Sequence, residues 1–139
     1  MVIAVLESFI ERIRNTVNIE RAYKDLDHAL SQLRQYNDDP ESVDKETLDA
    51  EVQDALRQAH HLLSFEGQKN WSGLFRELHE YLAKIHMELY EYDEAEKHAR
   101  AVLEYDRHEG EYLLKQIEAH KQGERLEDFD PSMVDEAEE

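Results

Sequence analysis

Two prolines and four glycines are all that interrupt 139 residues. Between them the chain is dominated by Glu, Leu, Ala, Arg, Gln and Lys, which lose little on entering a helix. Long stretches of helix formers without breakers predict an all-α protein. No cysteine is present, which excludes disulfides, thiolate metal sites and cysteine nucleophiles. With 34 acidic against 16 basic residues the net charge is -18. Such a surface repels phosphate backbones, so nucleic acid is not an expected partner.

Apolar spacing divides the chain into helices. Helix one is expected from about Val2 to Asn15, with Ile3, Leu6, Phe9, Ile10 and Ile13 as its apolar face. A second helix is expected from a cap at Asn18, burying Ile19, Ala22, Leu26, Ala29, Leu30 and Leu33, and ending at the break from Asn37 to Ser42 around Pro40. Leu48, Val52, Ala55, Leu56, Ala59 and Leu62 mark a third helix over about Asp44 to Leu63. In the fourth, capped at Asn70, the residues Trp71, Leu74, Leu78, Leu82, Ile85 and Leu89 form one apolar stripe about 80° wide. Asp93 to Glu96 has the form of a capping box and opens a fifth helix that ends near Asp106. A sixth, from about Glu109 to Gln122, stops at Gly123.

Residues 1–123 are expected as one helical domain and residues 124–139 as a flexible acidic tail. Eight acids in that tail are opposed only by Arg125, so it carries -7 of the total. Leu126, Phe129, Met133 and Val134 are its candidate docking residues. The N-terminal stretch has no basic segment and contains Glu7, unlike a signal peptide. No run approaches the ~20 apolar residues of a membrane span. A soluble, cytoplasmic protein without membrane contact is expected.

The chain also repeats itself. Ile19, Ala22, Leu26, Ala29 and Leu30 share their offsets with Val52, Ala55, Ala59, Leu62 and Leu63, and with Tyr92, Ala95, Ala99, Val102 and Leu103. Residues 78–106, LHEYLAKIHMELYEYDEAEKHARAVLEYD, resemble one tetratricopeptide repeat, and residues 3–32 are a weaker copy with Ile10 in place of the small residue. The resemblance implies that Ala83 and Ala95 sit where paired helices cross most closely. It implies five to six antiparallel helices as stacked hairpins; an up-and-down bundle is the alternative.

Among candidate chemistries, eight histidines come first: His28, His60, His61, His79, His86, His98, His108 and His120. No two stand at i, i+4, the spacing of a helical zinc motif. Asp25 and His28 make only half of a di-iron motif. Arg21 to His28 resembles the ribonuclease motif of HEPN domains, but the polar residue after the arginine is Ala22. Serines lie outside any nucleophile elbow and no phosphate loop exists. Neither a metal nor another cofactor is therefore expected, and no enzyme activity. On helix four Glu77, Tyr81, Lys84 and Glu88 form a second stripe about 90° from the apolar one. The tetratricopeptide resemblance would place it in a ligand-lining groove.

The function expected is a protein–protein interaction module whose acidic face takes a basic or amphipathic protein segment, with a homodimer as a second possibility. A histidine-based helical-bundle enzyme or accessory subunit is the alternative from a different class.

Overall fold

A computed structural model describes residues 2–130 and 132. Among them the structure is all-α, in the order α1 (Val2–Asp38), a 3-10 turn (Pro40–Ser42), α2 (Lys45–Leu63), α3 (Ser72–Glu88), α4 (Tyr92–Leu103) and α5 (Arg107–Lys121). Contacts divide the chain after Phe65 into two compact units.

In the first unit, the two helices expected over residues 2–37 are one continuous α1 of 37 residues. Asn15 and Asn18 suggest a boundary, but no Gly or Pro accompanies them. The i to i+4 ladder therefore runs on, with Thr16 Oγ1 donating to the Arg12 carbonyl at 3.0 Å. Residues 3–32 thus form no helical hairpin. At 3.6 residues per turn, Ile3, Leu6, Ile10, Ile13 and Val17 face about 150° away from Ala22, Leu26, Ala29 and Leu33. Only the second set is buried, and α1 there packs against Leu48, Val52, Ala55, Leu56, Ala59 and Leu62 of α2. Ala22, Ala29, Ala55 and Ala59 are fully enclosed, where small side chains let the two backbones approach. Asp44 caps α2 by accepting from the Thr47 N–H at 3.2 Å.

The second unit joins α3, α4 and α5 through three-residue turns, 89–91 and 104–106. Its core includes Ala83, Met87, Ala95, Ala99, Val102, Leu113 and Ile117. Asp93 lies inside the first turn of α4 and the capping residue is Glu91, which makes no side-chain cap bond; the expected capping box does not form. Asp106 does cap α5, accepting from the Glu109 N–H at 3.1 Å. Helix α3 ends in a Schellman arrangement, with the Glu91 N–H donating to the His86 carbonyl at 2.8 Å and that of Tyr90 to Met87 at 3.0 Å. The same two bonds end α5, from Glu124 to Ala119 and from Gly123 to His120. Gly123 takes the left-handed position there with φ 84°, while Tyr90 takes it after α3 with φ 62°.

Gly110 lies inside α5 rather than in a turn. A Cβ at this position would stand 2.7 Å from the backbone nitrogen of Leu103, so glycine is what lets α5 cross the end of α4.

Candidate functional site

The stripe expected to line a groove is placed differently from its sequence reading. Glu77 and Tyr81 are half-buried on α3, whereas Lys84 and Glu88 are buried. The reason is the chain's own C-terminal segment. Arg125 Nη2 lies 2.8 Å from Glu88 Oε1, and Asp128 Oδ1 lies 3.3 Å from Lys84 Nζ. The Glu127 carbonyl accepts from Tyr112 Oη at 2.6 Å and from Gln116 Nε2 at 3.1 Å, and Phe129 packs on Tyr112. Residues 125–129 therefore lie against α3 and α5, and Lys84 and Glu88 are not an open acidic face. Of the expected docking residues Leu126 and Phe129 are half-buried; Met133 and Val134 lie outside the described residues.

Beside this segment Arg76 Nη1 reaches Glu109 Oε2 at 2.6 Å, and Lys84 Nζ reaches Glu80 Oε1 at 2.9 Å. Glu80 and Glu109 also hydrogen-bond to each other. Burial pushes Glu109 up to about 7; the bond to Glu80 and its charge add to that, against the opposing Arg76. Burial pushes Glu80 up as well, but the bond from Glu109 and the charges of Lys84 and Arg76 outweigh it and hold Glu80 low. Two carboxylates this close favour holding one proton between them, with Arg76 and Lys84 on either side.

The surface most open to a partner is the first half of α1. Val2, Ile3, Val5, Leu6, Phe9, Ile10, Ile13 and Val17 are between 48% and 73% exposed. The face expected as core is uncovered among the described residues. It runs at alternating three- and four-residue spacing through Ile3, Leu6, Ile10, Ile13 and Val17, the seam of a two-helix coil. Where it ends, a pocket of about 300 Å³ opens between α1 and α2, lined by Asn18, Arg21, Arg57, Gln58, His61 and Leu62.

Potential metal ligands do come together, although no His-x-x-x-His pair exists. His86 on α3 and Glu94 and His98 on α4 each present one ligand atom, all within 4.8 Å of one another. Spacing along one helix misses this set because it is divided between two. The legible part is Glu94-x-x-x-His98, one carboxylate and one imidazole on the same face of α4.

Compared with protein-family models, with the curated proteins and with the solved structures, the chain gives no match. No described helix is long and apolar enough to cross a membrane.

Proposed function

We propose that the protein is a non-enzymatic protein–protein interaction module that pairs through the N-terminal half of α1, and that the partner helix belongs to a second copy of the chain. The observation that carries this reading is the uncovered Ile3, Leu6, Ile10, Ile13 and Val17 seam. A monomer exposing so many large aliphatic side chains along one line is unusual, and such a patch marks an interaction surface.

Charge supports the second copy. Residues 2–17 carry Glu7 and Glu11 against Arg12 and Arg14, so this stretch is neutral in a chain of net charge -18. It is where two copies meet with least repulsion. Glu7 and Arg14 flank the seam on the same side. An antiparallel pairing that sets Leu6 opposite Val17 and Ile10 opposite Ile13 brings Glu7 beside Arg14 of the other copy, twice by symmetry. It also keeps residues 19–38 of the two copies at opposite ends. Parallel pairing offers neither advantage.

The tetratricopeptide-like reading belongs with this proposal for residues 78–106 alone. In support, Ala83 and Ala95 are both fully enclosed in the core of the second unit.

Sedimentation equilibrium tests the pairing. Twice the chain mass is expected at high concentration, with dissociation on dilution. I10D is expected to give a monomer of unchanged helicity, R14E to weaken the dimer, and E7R/R14E to restore it. A wild-type chain that stays monomeric at about 100 μM, a concentration well above a micromolar Kd, would overturn the reading.

A further inference from the structure

The histidines of α3 and α4 are held in a particular way. His79, His86 and His98 are 7%, 9% and 4% exposed, so all three rings are taken from water. The Glu66 carboxylate faces His79 Nε2 at 3.0 Å and accepts from Tyr105 Oη. His79 Nδ1 in turn lies 3.0 Å from His98 Nδ1. An ionised carboxylate only accepts, so His79 carries its hydrogen on Nε2, and in the neutral ring Nδ1 is then the acceptor. His98 must supply the hydrogen between the two rings from its own Nδ1. That leaves a lone pair on His98 Nε2, the atom 3.9 Å from Glu94 Oε2.

His86 follows the same logic from the opposite direction. Its Nδ1 lies 2.9 Å from Glu91 Oε1, so Nδ1 bears the hydrogen and the lone pair is on Nε2. The His86 and His98 rings are nearly parallel, 6° between planes, with centroids 5.8 Å apart. Two imidazoles with fixed tautomers therefore bring lone pairs toward one exposed carboxylate.

From this geometry we propose that His86, Glu94 and His98 form a binding site for a divalent transition-metal ion of the zinc type. Two imidazoles and one carboxylate, with solvent in a fourth position, make a three-protein-ligand set of the kind zinc takes. Ligands at 2.0–2.1 Å from a tetrahedral ion are about 3.4 Å apart, so the 4.8 Å envelope has to contract. Glu94, half exposed and on the first turn of α4, is the member able to move and is the route of entry. Glu91 behind His86, and the relay from Glu66 through His79 behind His98, are the outer partners that orient metal-bound histidines and raise their basicity. A bound ion would clip α3 to α4.

The full chain without an affinity tag, stripped with EDTA, is titrated calorimetrically with ZnCl2 and separately with CoCl2. One equivalent of saturable binding is expected, with a Tm rise of several degrees and visible bands from low-coordinate cobalt. E94Q, a near-isosteric change at a half-exposed position, is expected to lose at least tenfold in affinity and the cobalt bands. E91Q changes no ligand and is expected to lose about 10–100-fold. H28Q and H108Q, at exposed histidines elsewhere, should bind as the wild type does. Absence of saturation below about 100 μM, the Kd of a site giving only some 5 kcal/mol, would overturn the proposal, as would zinc binding undiminished in E94Q.

Discussion

Arg125, on the segment after α5, places Nη2 2.8 Å from Oε1 of Glu88, whose side chain has no solvent exposure. His120 Nε2 is 3.6 Å from the same oxygen. A carboxylate so enclosed depends on its cations, because removing one partner leaves a buried charge short of compensation. R125A is expected to destabilise the second unit by about 2 kcal/mol, below the usual cost of breaking a buried pair because Arg125 is one-third exposed. Urea unfolding followed through Trp71, the single tryptophan, measures this. R125A/E88L should recover most of the loss; an unchanged midpoint in R125A would show that the Arg125–Glu88 pair contributes nothing to the fold.

Gly110 tests the crossing of α4 and α5. G110A improves intrinsic helix propensity by about 1 kcal/mol, yet its methyl meets the Leu103 backbone at 2.7 Å. Backbone cannot swing aside as a side-chain end can, so a net loss of about 1–3 kcal/mol is expected. Thermal unfolding of G110A decides the sign, and stabilisation would mean that the crossing is looser than the structure has it.

Tyr90 occupies a position where glycine is the ordinary solution. Its left-handed backbone is disfavoured for a residue with a Cβ, while its ring packs near Tyr92 and His120. Y90A and Y90G both remove the ring, so their difference isolates the backbone. Y90G is expected to be more stable than Y90A by about 1 kcal/mol, the reverse of their order inside a helix. Denaturation midpoints for the pair provide the comparison.

Glu109 carries the pH dependence. Its folded value of about 7 exceeds the ordinary 4.5, so the folded state binds the more protons between those values. Its contribution is complete below about pH 4.5 and is lost as pH rises through about 7. Gln at this position mimics the protonated acid, accepting from Arg76 and donating to Glu80. E109Q is expected to flatten the stability profile over this interval and to exceed the wild type at pH 8 by about 1 kcal/mol. Parallel profiles for the two proteins would remove Glu109 as the source.

Much of the secondary structure is legible in the residues. The break at Pro40, the start of α2 at Asp44 and the stop at Gly123 follow from turn and cap chemistry acting over a few neighbours. The α1 reading failed for an equally local reason. Two apolar stripes on opposite faces look like two helices when each is read alone, and only continuity of the ladder through Thr16 makes them one. Glu94 and His98 stand one helical turn apart but are not among the expected sites, and His86 joins them across a turn, where no spacing rule for one helix reaches it.

By itself the sequence determined that the chain is helical, where most helices end and which faces are apolar, because propensity, capping and periodicity are properties of a single segment. Tertiary structure decided which apolar face is covered: the α1 seam at Ile10 stays open while that at Leu26 closes on α2. It also decided that Lys84 and Glu88, polar residues on a plausible outer stripe, are enclosed by Arg125 and Asp128. Burial and charge pairing belong to the contact between segments, so no single segment encodes them.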